Sequence, residues 1–226
     1  MTSSSVQISD DFADRLRGFG PIGLLAIVVI LAGNGLFTPL SALLVLLWAY
    51  HSHTPWRDIG YVRPRSWPRT IVIGTVFGVA LKFLMKALIM PLLGADPINQ
   101  AFHYLAGNTA ALPGMIFAVT IGAGFGEETM FRGYFFERFG KLLGPRALTK
   151  PLTVLISSAW FGAVHYPFQG LAGAEQAAIV GLIYGTIFAI KGELFMLMFA
   201  HAAFDLTALA MIYWDVETNV AHLLFK

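Results

Sequence analysis

The chain has 226 residues, of which 57% are hydrophobic and only 12% charged, with a formal net charge of +2. Soluble domains carry roughly 25% charged residues, so this composition excludes an ordinary soluble domain and points to one polytopic, mostly helical membrane domain. There is no cysteine, which excludes disulfides, thiolate nucleophiles, iron–sulfur clusters and thiolate zinc sites. The small net charge gives no sign of a nucleic-acid partner.

Residues 1–19 form a polar N-terminal segment, too long and too acidic for the n-region of a signal peptide. The apolar run that follows lacks a clear A-x-A cleavage site and reads as a first span. Seven apolar segments are expected, at about 20–36, 38–51, 69–93, 112–134, 151–166, 174–190 and 193–214. The pattern accommodates seven spans, or eight. The first two are short, are joined by "GNGLFTP", and suggest a tilted or incomplete hairpin. The expectation is an all-α transmembrane bundle over 20–214 enclosing a polar cavity, with a short tail at 215–226.

Basic residues set the orientation. Arg15 and Arg17 precede the first span, and Arg57, Arg63, Arg65 and Arg69 precede the third. Arg138, Lys141, Arg146 and Lys150 separate the fourth and fifth, and Lys191 separates the sixth and seventh. Residues 94–113 and 166–176 contain no Lys or Arg. Seven spans put every basic loop on one side, with the N-terminus in the cytoplasm and the C-terminus outside. A multi-pass protein of a prokaryotic plasma membrane, with the bilayer as its first partner, is expected. "NQAFHYLAG" suggests a short interfacial helix.

Charge within a span costs roughly 2.5–3.5 kcal/mol on insertion scales. The fourth segment nevertheless carries Glu127, Glu128 and Arg132 in "GEETMFRGYFFERFG". The fifth ends on His165, and the seventh carries His201 and Asp205 in "HAAFD". At about 1.5 Å per residue, Glu127 lies roughly 21 Å from Lys141, His165 roughly 22 Å from Lys150, and Asp205 roughly 21 Å from Lys191. Three helices thus deliver ionisable groups to one depth. Glu128 and Arg132 are i, i+4 neighbours able to pair. Glu127 lies about 100° around the helix and is left as the free carboxylate. His201 and Asp205 are also i, i+4. A carboxylate able to take a proton, two imidazoles and an orienting acid suit hydrolysis.

There is no H-E-x-x-H, no G-x-G-D and no G-x-S-G. Ser157 and Ser158 read as small packing residues. "EETMFR" (127–132), "FGAVH" (161–165) and "HAAFD" (201–205) together resemble the three motifs of the CAAX prenyl protease and bacteriocin-processing family, also called the Abi family. "DIGYVRP" (58–64) is similar to a recurrent pre-helix motif of its bacterial members. The resemblance covers roughly 58–210 and implies a glutamate-dependent intramembrane endopeptidase acting on a membrane-associated peptide or prenylated-type protein. By that resemblance Glu127 activates water, His165 positions it, and His201 with residue 205 stabilises the oxyanion. The best-known pattern has Asn where this chain has Asp205. An ionised carboxylate cannot donate, so Asp205 is expected to orient His201 instead.

Glu128, Arg132 and Phe161 read as structural support of the site. Lys82 and Lys86, one helical turn apart, are expected to snorkel, to line the substrate entrance or to meet lipid headgroups. No cofactor is expected. A zinc-dependent variant held by Glu127, His165, His201 and Asp205 is the first alternative. A non-catalytic immunity, scaffold or transport protein is the second.

Overall fold

The structure is a computed structural model and describes residues 11–225. The first ten residues of the expected polar N-terminal segment lie outside the described residues. Helices and turns make up every described element. Helix α1, Asp11–Arg17, meets α2, Pro21–Leu36, at 55°. Pro21, with φ already preset, starts α2. Phe37 is extended and breaks the chain before α3, Thr38–His51, which folds back on α2. Ser41 Oγ lies 2.8 Å from Thr38 O, to which it donates, and 3.2 Å from Asn34 Oδ1, which stitches this hairpin.

Helix α4, Trp67–Leu92, is capped by Ser66 Oγ, which accepts from Arg69 N at 3.4 Å, and it carries a π-turn at Met85–Ile89. Helix α5, Thr109–Leu143, opens on a 3₁₀ turn at Thr109–Ala111 and follows a loop in which the expected interfacial helix is reduced to the 3₁₀ turn His103–Leu105. Helix α6, Thr149–Lys191, precedes α7, Phe195–Tyr213. The C-terminal tail is not loose: α8, Glu217–Ala221, folds back, and Glu217 is buried.

By length and apolarity, four of these helices are able to cross a membrane, or five if α1 and α2 count as one bent span. That is fewer than the seven or eight expected. Two causes account for the difference. Helix α3 has 14 residues, about 21 Å of rise against a hydrocarbon core of about 30 Å. Helix α6 spans 43 residues but consists of two helical arms joined at a kink. It reverses at Gly170, whose φ of 65° and ψ of −165° are non-helical. Lys150 Nζ therefore donates to Ala189 O at 2.8 Å, and a Cβ on Gly162 would lie 2.8 Å from Ala174 O. The arms 149–169 and 171–191 run antiparallel and contain the expected segments 151–166 and 174–190.

The bundle closes through small residues, as expected where lipid provides no hydrophobic drive between helices. A Cβ on Gly78 would collide with Ala200 O, so α4 and α7 touch backbone to backbone. Leu25, Val28, Leu43, Val72 and Val76 point outward as an apolar belt. At one end, Arg138 donates to Arg17 O at 2.8 Å and Gly18 O at 3.0 Å, and Lys141 donates to Arg17 O at 2.9 Å. These cations cap the free carbonyls at the C-terminus of α1. Lys82 and Lys86 do not snorkel. Lys82 Nζ donates to Gln176 Oε1 at 3.1 Å, and Lys86 Nζ donates to Glu217 Oε1 at 2.7 Å and to Pro97 O at 2.6 Å.

The turn at Gly170 combines positive φ with an extended ψ, a region open in practice to glycine alone. Gly170→Ala is expected to cost about 1–3 kcal/mol and to lower the thermal midpoint of the detergent-solubilised protein. An unchanged midpoint would show that the arms, and not the turn, set the reversal.

Candidate active site

The "DIGYVRP" tract explains how the site helix is held. Ile59 is fully buried, and a Cβ on Gly133 would lie 2.9 Å from Ile59 O, so the tract lies directly on α5. Gly60, at φ 80°, turns the chain so that its carbonyl accepts from Leu194 N at 2.9 Å, next to the start of α7. Thr129 Oγ1 donates back to Phe125 O at 2.7 Å and accepts from Tyr61 O–H at 2.7 Å. Burial pushes the Tyr61 phenol up to about 12, so it stays a donor at any physiological pH. One short segment thus fixes both α5 and α7.

Residues Ala118–Tyr134 of α5 are π-helical. A π-turn closes i to i+5 bonds and holds more residues than the 3.6 of an α-turn. Successive side chains are therefore less than 100° apart, and Glu127 and Glu128 both turn towards α7. Gly124 permits the approach: its Cβ would lie 3.0 Å from both Met198 O and Ala202 Cβ.

Glu128 is fully buried and its Oε1 has two donors. Arg132 Nη1 donates at 2.9 Å and His201 Nδ1–H at 2.7 Å. The expected Glu128–Arg132 pair is present, with the Arg132 guanidinium 4.6 Å from the Phe161 ring centroid and 5.6 Å from that of Tyr184. Cationic faces on aromatic rings partly replace lost hydration. The assignment of Asp205 as the group orienting His201 requires correction. Asp205 Oδ2 lies 3.6 Å from His201 Nε2, beyond hydrogen-bond distance, whereas Glu128 takes the Nδ1 proton. The i, i+4 spacing brings Asp205 near the ring, but the neighbouring helix supplies the better acceptor.

His201 Nε2 is thereby aimed at two carboxylates, Asp205 and, at 3.7 Å, Glu127 Oε2. Glu127 Oε2 is buried with no hydrogen-bond partner among the described residues. His165 Nδ1–H donates to Phe161 O at 2.7 Å, and its ring packs edge-on to Phe161 at 4.5 Å. In the neutral ring this fixes Nε2 as the acceptor. Glu127, His165, His201 and Asp205 line one cavity of about 120 Å³, room for a few waters at about 30 Å³ each. Phe161 supports both His165 and Arg132. Among the described residues, no three His, Asp or Glu side chains are grouped as a metal site.

Five lining residues lie outside the motifs, Gln169, Gly173, Gln176, Ala177 and Val180, all on α6. Two glutamines in a run of Gly, Ala and Leu are the sequence signal that marks them. The Glu128–His201 bond has no such signal, because it joins residues 73 positions apart.

Residues 109–207 match the family described as type II CAAX prenyl endopeptidase Rce1-like. That stretch contains Glu127, Glu128, Arg132, Phe161, His165, His201 and Asp205, and the match agrees with the resemblance carried by the three motifs. No curated protein and no solved structure matches the chain.

Arg132→Ala leaves Glu128 buried with only His201 as partner. Breaking a buried pair costs about 3–5 kcal/mol, so the variant is expected to melt well below wild type and to accumulate poorly in membranes. A variant as stable as wild type would place Arg132 in binding or chemistry and not in support.

Proposed function

We propose that the chain is an intramembrane endopeptidase that hydrolyses a peptide bond of a membrane-associated substrate with Glu127 as the base. One observation carries this reading: a buried carboxylate oxygen with no hydrogen-bond partner among the described residues faces a cavity it shares with two imidazoles. The Rce1-like match supports a peptidase of the CAAX type.

Glu127 takes a proton from a water in the cavity, and the oxygen adds to the scissile carbonyl carbon. His165 Nε2, the free acceptor of its ring, orients that water. His201 Nε2–H donates to the oxyanion that forms. Its ring is fixed from behind by Glu128, which is fixed in turn by Arg132. As the intermediate collapses, the C–N bond breaks and Glu127 returns its proton to the leaving amine. The order of support, Arg132 to Glu128 to His201, gives a charged donor a rigid aim before substrate arrives.

Glu127→Gln keeps size and polarity but removes the base. Glu127-dependent cleavage of a membrane peptide pool is expected to vanish, while yield and thermal midpoint stay near wild type. Turnover retained in this variant would reject the mechanism. Loss of wild-type activity in strong chelator would move the reading to a zinc enzyme.

The geometry also ranks two residues on α7. His201→Ala removes the oxyanion donor and is expected to lose about 10²–10³ in kcat. Asp205→Asn leaves the Glu128 bond to His201 intact, so its loss is expected to be smaller. Equal losses in kcat on one peptide would return Asp205 to the role of orienting group.

A further inference from the structure

The cavity lies towards one end of the bundle. Arg17, Arg57, Lys141, Arg146, Lys150 and Lys191 meet around a cleft of about 960 Å³ at the opposite end. Lys150 sits there beside Ala189, where the two arms of α6 begin and end. His165 lies roughly 22 Å from Lys150 along its arm but only about 7 Å from the turn at Gly170. Asp205 lies roughly 12 Å from Tyr213, whose carbonyl accepts from Gly107 N in the loop before α5.

The openings follow the same direction. Two hollows of about 100 and 160 Å³ adjoin the cavity and share Gln169 and Gln176 with it. Both add Asn99 from the loop after α4, and the larger adds Gln100. Towards the basic end, Glu128, Phe131, Arg132 and Tyr184 are buried and close the floor. The loops flanking the mouth, 94–113 and 166–176, carry no Lys or Arg. Lys82 and Lys86 point towards this end but lie within α4, and Lys86 is neutralised by Glu217. They are not loop cations of the kind that set orientation.

Lys and Arg of short loops are retained in the cytoplasm, so the basic cleft is the cytoplasmic end. We propose that the site is loaded from the extracytoplasmic face, and that its substrate is an exported or outward-facing polypeptide segment held at that interface. A lipidated tail presented from the cytoplasm would meet the closed floor. This rests on the hydrolase reading for the substrate, whereas the direction of access rests on the basic loops and on where the hollows open.

The cysteine-free chain suits a direct test. Gln100→Cys, at the mouth, and Lys191→Cys, at the basic end, both replace exposed residues. In right-side-out bacterial vesicles a membrane-impermeant maleimide is expected to modify Gln100→Cys at least about tenfold faster than Lys191→Cys, with the order reversed in inverted vesicles. Ala110→Cys and Arg146→Cys, also exposed, repeat the comparison if either first variant is unstable. Fluorescein-labelled casein, added outside, is expected to be cut by right-side-out vesicles carrying wild type and not by those carrying Glu127→Gln. Labelling of the basic end from outside, or cutting confined to inverted vesicles, overturns the proposal and leaves the hydrolase reading standing. Casein untouched by wild type even in detergent strikes the hydrolase reading, and with it the substrate half of this one.

Discussion

One carboxylate oxygen organises this molecule. Glu128 Oε1 receives Arg132 from its own helix and His201 from another, in a place with no exposure to solvent. A buried charge is tolerable only when paired and hydrogen-bonded. The pairing therefore constrains far more than two residues. It sets how closely α5 approaches α7, which ring nitrogen of His201 is occupied, and which is free. The guanidinium is held in place by Phe161 and Tyr184 and not by further hydrogen bonds, since Arg132 Nε and Nη2 have no partner among the described residues. Packing and charge are here the same constraint, and neither ring can be changed without loosening the ion pair.

The π-helical stretch gives this pairing its second consequence. In an α-helix, adjacent glutamates diverge by about 100°, and one carboxylate facing α7 would leave the other facing elsewhere. The wider turn lets Glu128 bond the back of the imidazole while Glu127 lies across from its front. Such turns are rare and concentrate at functional sites. The local backbone and the chemical division between two neighbouring acids are thus one feature. Gly124 completes it, because a side chain there would push α5 away from α7.

Much of this was legible in the sequence. Helical class, the segment limits of α2, α3 and both arms of α6, and the convergence of Glu127, His165, His201 and Asp205 follow from apolar runs and from depth counted off the basic anchors. The depth count works because every span is measured from the same interface. What was not legible depends on contacts across helices. The i, i+4 rule pointed His201 to Asp205, because one-helix geometry cannot weigh an acceptor on a neighbour. Of the roles open to Lys82 and Lys86, snorkelling fails for the same reason, since Gln176 and Glu217 are distant in sequence, while both lysines line the hollows beside the cavity. The span count differs because α3 is short and because the two arms of α6 are joined through a single glycine.

The acid at 205 remains the departure most particular to this chain, and charge gives it a rationale. Asp205 adds a negative group beside an imidazole that already faces Glu127 and touches Glu128. Lys82, buried within α4, lines the same hollow as Asp205 and adds a positive one. The two bring one acidic and one basic side chain to the same hollow. Lys82 Nζ donates to Gln176 Oε1 and lies 4.8 Å from the Phe204 ring centroid. His201 Nδ1 is hydrogen-bonded to Glu128 while Asp205 stays 3.6 Å from Nε2, and Asp205 also lines the hollow that adjoins the cavity.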